Sequence, residues 1–225
     1  MLGRSTLATL ILAVAVSDAS GLEALIGDAF VTLPPPAGFC ELTPQYEFDG
    51  RTVAITSAYL KGYGVRLLTM SADCDQLAEA RAGKRRQVDD VTQYQVQNGD
   101  QKTPPVLSIA ANCAIVRLQT KSPVEGDARA RIKARLADTL ERIKVNEAIS
   151  IGVIDEDKNA CYTAVLHKLW IEGTQQMLVG LNAATIISNR AIAVRRYAIY
   201  QNPDAIDAML AKLKDNVASL IAANH

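Results

Sequence analysis

The run ACYTAVLHKLWI, residues 160–171, belongs to a set of four β-rich runs that decides the fold. The other three are AISIGVID at 148–155, QQMLVGLNAATII at 175–187 and RAIAVRRYAIYQ at 190–201. Apolar and polar residues alternate with the period of two that is typical of strands, and only short turns separate the runs. Successive strands joined by short turns pair antiparallel, so the sequence predicts a four-stranded antiparallel meander.

Two amphipathic helices are predicted before and after this meander. Between Val124 and Val145 apolar residues recur at spacings of four and three, which describes one stripe of a helix. The segment 203–222 follows an Asn202 cap and begins with Pro203, and it carries a similar stripe. A sheet needs a cover on one face. We therefore expect an α+β fold in which long helices cover the C-terminal four-strand meander.

Shorter elements are predicted in the first half of the chain. They are a helix from a Thr43 cap to Gly62, a strand at 65–72, a helix capped by Asp73 and closed by Gly83, and a strand at 91–96. The segment 103–119 fits either a strand or a helix, and its Thr103 cap, early prolines and alanines favour a helix.

The N-terminus has the pattern of a secretory signal peptide. Arg4 precedes an apolar run from Leu7 to Val16, and small and polar residues follow. The run has about ten apolar residues, whereas a membrane span needs roughly twenty. We predict a signal peptide at 1–19, cleaved after Ser17 or Ala19, and a single α+β domain at 20–225. No membrane span is expected after cleavage, and the predicted location is periplasmic or secreted.

The composition indicates a globular protein without an electrostatic preference for a partner. Hydrophobic residues make up 49% of the chain and charged residues 21%, which argues against disorder. Lys and Arg number 24, as do Asp and Glu, so no net field attracts nucleic acid. The basic stretch GKRRQ at 83–87 lacks interleaved aromatic residues for base stacking. We expect no nucleic-acid partner.

Four cysteines, Cys40, Cys74, Cys113 and Cys161, permit three complete pairings, and the sequence does not choose among them. In an exported chain they are expected to form structural disulfides. Cys40 and Cys74 both lie at element ends near the first strand, which favours their pairing and leaves Cys113 with Cys161. The chain has no C-x-x-C motif. A thiol-disulfide active protein is therefore only an alternative.

No catalytic constellation is complete in the sequence. His167 alternates with Val165 and Leu169 in a strand, which is more typical of a core or rim histidine than of a catalytic base. The stretch DEDKNA at 155–160 begins like a calcium loop but lacks the glycine and the glutamate that complete one, which favours a hairpin turn. We predict no metal or other cofactor. An enzyme built from scattered residues would have His167, Asp155 and Tyr197 as its candidates.

A set of sequence motifs and the order of the predicted elements each suggest a relationship. P-x-G-F-C-x-L at 36–42, DC-x-x-L-x-x-x-R-x-G at 73–83 and the terminal AAN together resemble uncharacterised exported proteins of proteobacteria. The order of elements in the late meander and C-terminal helix is similar to the PsbP/Mog1 scaffold, which implies a binding or assembly module and carries over no functional residue. We therefore expect an exported, non-catalytic binding or accessory module for a protein or small ligand. A periplasmic enzyme is the alternative.

Overall fold

The computed structural model describes residues 21–97, 108–120, 143–145, 147–171 and 173–225. The predicted signal peptide and most of the predicted helix at 124–145 lie outside these residues. The strands are β1 (Leu22–Ile26), β2 (Ala29–Leu33), β3 (Phe39–Glu41), β4 (Val65–Asp73), β5 (Asp90–Gln97), β6 (Glu147–Glu156), β7 (Ala160–Ile171), β8 (Thr174–Ile187) and β9 (Arg190–Ile199). The helices are α1 (Glu47–Lys61), α2 (Cys74–Arg81), α3 (Ile109–Thr120) and α4 (Pro203–Ala222).

The main sheet has seven strands, in the order β3-β4-β5-β9-β8-β7-β6, and neighbouring strands are antiparallel. The predicted meander is present as β6 to β9. It does not end at β9, because β5 pairs with β9 and places Gln95 opposite Ala193. The predicted four-stranded sheet covered by long helices is therefore wrong. The described structure is mostly antiparallel β, and a separate hairpin is formed by β1 and β2.

One face of the sheet carries the main hydrophobic core, and α4 lies against it. The predicted stripe of α4 is confirmed, with Ile206, Leu213, Val217 and Leu220 all buried. Strand alternation brings buried residues from four strands onto the same face, which we call the α4 face: Tyr94, Tyr162, Leu166, Leu181 and Val194. The β1–β2 hairpin adds buried apolar residues to this core.

The opposite face supports the three other described helices. Helices α1 and α2 pack on β4, where Met70, Ala72, Leu77 and Val91 form a second, smaller core. On the same face, helix α3 lies against β6, β7 and β8 at the other end of the sheet. Strands β9 and β5, together with part of β8 and β7, therefore run between two groups of helices.

Both disulfides join helices to this opposite face. Cys40 in β3 is bonded to Cys74 at the start of α2, and Cys113 in α3 is bonded to Cys161 in β7. These are the pairings that the sequence favoured. Among the described residues no cysteine is free. Cys113 and Cys161 are fully buried, so the second bond anchors α3 to the sheet from the inside.

Capping residues explain where the helices begin. Asn202 and Asp73 accept backbone N–H groups of Ala205 and Gln76, which confirms the predicted caps of α4 and α2. The predicted Thr43 cap of α1 is wrong, because α1 begins at Glu47 after Tyr46. The N–H of Thr43 instead donates to the carboxylate of Asp49 at 2.8 Å.

Candidate functional site

A row of polar side chains crosses the sheet face opposite α4. Gln93 of β5 lies opposite Arg195 of β9, Arg195 lies opposite Asn182 of β8, and Asn182 lies opposite Thr163 of β7. We call these four residues the polar row. Gln93 is buried, whereas the other three are half-buried and keep contact with solvent. The row lies on the strands that run between the α1–α2 pair and α3.

Hydrogen bonds connect three of the four members of the polar row, Arg195, Asn182 and Thr163. Arg195 Nε donates to Asn182 Oδ1 at 3.3 Å, and Asn182 Nδ2 donates to Thr163 Oγ1 at 3.4 Å. At the β5 end, Gln95 Nε2 donates to Gln93 Oε1 at 2.5 Å. The bond from Arg195 to Asn182 and the bond from Asn182 to Thr163 are both longer than typical N–H···O hydrogen bonds. These hydrogen bonds orient the side chains but leave some of their donors and acceptors unused by the described residues.

Arg195 has fewer partners than its donors allow. Its second hydrogen bond runs from an Nη1 donor to the hydroxyl oxygen of Tyr197 at 3.4 Å. In the part of the chain that the structure describes, no carboxylate lies within ion-pair distance of this guanidinium. A guanidinium carries five N–H donors and a permanent charge. The centre of the row therefore presents a half-buried cation whose charge the described protein does not balance.

Tyr197 lies beside the polar row because Gly180 leaves room for its ring. In the next row of the same face, Tyr197 pairs with Gly180 and Gly180 with Val165. A Cβ at Gly180 would lie 2.8 Å from Tyr197 Cε1 and 2.9 Å from Val165 Cγ1. Such contacts are too short for real side chains, so a larger residue at 180 must displace the tyrosine.

Gly180→Ala is expected to lower the free energy of unfolding by about 1–3 kcal/mol, because the added methyl overpacks this site. Urea unfolding of the variant and the wild type measures the change. Gly50→Ala is the matched control, since the nearest heavy atom would lie 3.8 Å from its Cβ. Because glycine destabilises a helix interior relative to alanine, Gly50→Ala in α1 should raise the free energy of unfolding by roughly 0.5–1 kcal/mol. A Gly180→Ala protein as stable as the wild type would contradict the packing of Tyr197 on Gly180.

His167 lies on the same face, two residues along β7 from Val165 and opposite Leu178. Burial lowers the pKa of its imidazole, and the positive charge of Arg195 lowers it further. A lowered pKa keeps the ring neutral near pH 7. Neither a carboxylate nor a hydroxyl of the described residues orients the ring as a catalytic base requires.

Asp155 lies on the α4 face, away from His167 and Tyr197. It pairs with Tyr162, which belongs to the main core, and its Oδ2 is 2.6 Å from Lys214 Nζ of α4. The three residues that the sequence suggested for an enzyme therefore do not converge. His167 and Tyr197 share one face of the sheet, and Asp155 serves an ion pair on the other.

The DEDKNA stretch forms a hairpin turn between β6 and β7, as the sequence favoured. Asp157 Oδ1 accepts the backbone N–H groups of Asn159 and Ala160 at 2.8 and 3.0 Å, and Tyr162 donates its hydroxyl to Asp157 Oδ2. The acidic oxygens are used by the turn, by Tyr162 and by Lys214. Among the described residues, no group of three or more His, Cys, Asp or Glu side chains is arranged to hold a metal ion.

Comparison of this chain with family models, with curated proteins and with solved structures finds no match. The resemblances to exported proteobacterial proteins and to the PsbP/Mog1 scaffold therefore stay predictions. Within the described residues, no helix is long and apolar enough to cross a membrane.

The sequence indicated none of the four residues of the polar row. Tyr197 and His167, which lie on the same face beside the row, were candidates only for an enzyme. One signal was present in the strand patterns: Asn182 lies at an alternate position of a run that is otherwise apolar or small around it, QQMLVGLNAATII. A polar residue in such a run indicates that this face of the strand is not part of a purely apolar core. The register that joins these residues into one row was not readable from the sequence.

Proposed function

We propose that this protein is an exported, disulfide-bonded, non-catalytic module that binds a small ligand on the polar row. The observation that carries the proposal is the half-buried Arg195 guanidinium, which has two long hydrogen bonds and no carboxylate partner among the described residues. Desolvating a charge without balancing it is unfavourable. A ligand that contacts the row would supply the missing partner.

The surroundings of Arg195 favour binding over catalysis. Asn182, Thr163 and Tyr197 offer amide and hydroxyl groups, which orient ligands but are not activated nucleophiles without a base. His167 is on the same face, yet no described hydroxyl or carboxylate forms a dyad with it. Both disulfides tie the helices that flank this face to the sheet, which supports a rigid surface in an oxidising compartment.

The export part of the proposal predicts a particular covalent mass. Protein recovered from the periplasm or medium should lack the first 17 or 19 residues and should contain no thiol that reacts with an alkylating reagent under denaturing, non-reducing conditions. Intact-mass spectrometry of the alkylated protein measures both properties. A retained N-terminus or reactive thiols would contradict export of an oxidised module.

The binding part is tested on the same folded protein. After incubation with a low-molecular-weight extract of the export compartment, we expect native mass spectrometry of the protein to show an added mass. This mass should be lost on denaturation. Hydrogen exchange should then slow around residues 163–167, 180–182 and 193–197 and stay unchanged in α4. Protection confined to α4, or no added mass, would overturn the polar row as a binding surface.

A further inference from the structure

We infer that the ligand of the polar row is a small organic carboxylate, held by the guanidinium of Arg195, with its apolar part against the ring of Tyr197 and Leu178. This inference rests on the proposed function and deepens it by naming the ligand class. Three observations support it: the unbalanced charge of Arg195, the unused donors of its guanidinium, and the apolar surface beside it.

The adjacent arginines Arg195 and Arg196 differ in how their charges are balanced. Arg196 points to the α4 face, is almost completely buried, and is balanced by Asp90 at 2.5 Å. Arg195 points to the opposite face and has no such carboxylate among the described residues. Among the described residues, Arg196 has a carboxylate partner and Arg195 has none. A ligand for Arg195 should therefore bring a negative charge.

The guanidinium of Arg195 has donors that the described residues do not use. The two described bonds of Arg195 use Nε and one Nη1 donor, and Nη2 has no hydrogen-bond partner among the described residues. A guanidinium presents parallel N–H pairs that match the two oxygens of a carboxylate. The Asn182 amide and the Tyr197 hydroxyl contact the guanidinium, and the Thr163 hydroxyl accepts from Asn182. They would orient the acid without adding charge.

The charge of the ligand is limited by what surrounds Arg195. Among the described residues, His167 carries an ionisable nitrogen that interacts with the charge of Arg195, and its lowered pKa keeps it neutral near pH 7. Phosphate sites commonly combine several cations or the N-terminus of a helix. Of the four residues of the polar row, Arg195 alone carries a charge, which fits a monoanion better than a phosphate dianion.

An apolar path leads away from Arg195 along the strands. Beyond Asn182 on β8 come Gly180 and Leu178, and Leu178 lies between Ile199 and His167. The four-residue step from Asn182 to Leu178 covers about 13 Å of strand. The ring of Tyr197 and the side chain of Val165 cover the buried Gly180, so the accessible part of this surface is the half-buried tyrosine ring, followed by the half-buried Leu178. This surface suits a chain or ring of carbon atoms attached to the carboxylate.

The path ends near a second feature of the same face. Ile199 and Gln176 also line an open cleft of about 520 Å³ that is bordered by the basic loop containing Lys84 and Arg86. These side chains lie on an exposed loop, and Arg85 between them is already paired with Glu79 and Asp89. Arg86 is therefore a matched control for a general effect of positive charge on this face.

The test uses 4-phenylbutyrate as the probe, with 4-phenylbutyramide as its uncharged analogue and inorganic phosphate as a second anion. Calorimetric and NMR titrations of the full mature protein measure the three affinities. We expect the carboxylate to bind about 10- to 100-fold more tightly than the amide, because a charge-assisted pair is lost in the amide. Phosphate should bind more weakly than the carboxylate.

Variants then assign the effect to Arg195. Arg195→Gln should weaken carboxylate binding by about 10- to 100-fold, Arg195→Lys should lose less because it keeps the charge but not the fork, and Arg86→Gln should leave affinity unchanged. Circular dichroism and thermal unfolding confirm that each variant is folded. An equal loss in Arg86→Gln would overturn Arg195 as the site.

The outcomes separate the two proposals. Equal binding of acid and amide, or tighter binding of phosphate, would overturn the carboxylate class. If none of the probes binds but an extract component protects the polar row from hydrogen exchange, the carboxylate inference fails and the binding module stands. If neither probes nor extract components contact the row, both fail.

Discussion

Arg81→Met is expected to lower the free energy of unfolding by about 3–5 kcal/mol, because it leaves a buried carboxylate without its counter-charge. The side chain of Asp49 is 0% exposed, and Arg81 donates to it from Nε and from Nη2, the latter at 2.6 Å. After the substitution only the N–H of Thr43 would still donate to this carboxylate among the described contacts. Urea or thermal unfolding followed by circular dichroism measures the loss.

Arg85→Met is the control for this prediction. Arg85 lies four residues further along the chain and pairs with Glu79 and Asp89, but all three side chains are at least 30% exposed. Exposed ion pairs contribute at most about 1 kcal/mol. Adding Asp49→Asn to Arg81→Met should restore part of the stability, since the uncompensated charge is removed. Equal effects of Arg81→Met and Arg85→Met would contradict the buried pair.

Replacing Cys113 and Cys161 together by alanine is expected to cost about 4 kcal/mol through loop-closure entropy of the unfolded chain. The two residues are 48 positions apart, so the bond restricts a long loop. Alanine is preferred to serine because both positions are fully buried and a hydroxyl there would need a partner. Urea unfolding of the oxidised wild type and of the double variant gives the difference.

The Cys40 and Cys74 pair provides the comparison. It spans 34 positions, so its removal should cost nearly the same amount by the same reasoning. The two double variants differ in position: one frees α2 from β3, and the other frees α3 from β7. Hydrogen exchange should therefore show the loosened segment in each case. A loss below about 1 kcal/mol for either variant would contradict a stabilising disulfide at that place.

Strand and helix types in the described regions followed closely from local patterns. The meander from β6 to β9, the caps Asp73 and Asn202, and the buried stripe of α4 all depend on residues within a few positions of one another. Such signals arise from side-chain alternation and from the unsatisfied N–H groups of a first helical turn. The start of α1 was wrong because Asp49, six residues on, bonds the N–H of Thr43 and makes that segment a turn before the helix.

The size of the sheet and the composition of the polar row did not follow from such patterns. Strand β5 was predicted as a strand, but nothing near residues 90–97 shows that it pairs with β9, about a hundred residues later in the chain. The free backbone groups on the edge of β9 accept any strand whose register and side chains fit. The four-stranded prediction stopped at the last strand of the meander for this reason.

By itself, the amino-acid sequence determined the meander, the C-terminal helix and the even number of cysteines that favours a cross-linked domain, because these depend on local periodicity and residue type. Tertiary structure alone decided what the two adjacent arginines do. Arg195 and Arg196 are identical in sequence terms, yet strand alternation sends them to opposite faces. Long-range pairing then places Asp90 beside Arg196 and leaves Arg195 at the centre of the polar row. The difference between a structural ion pair and a candidate ligand site is thus set by which distant residues the sheet brings to each face.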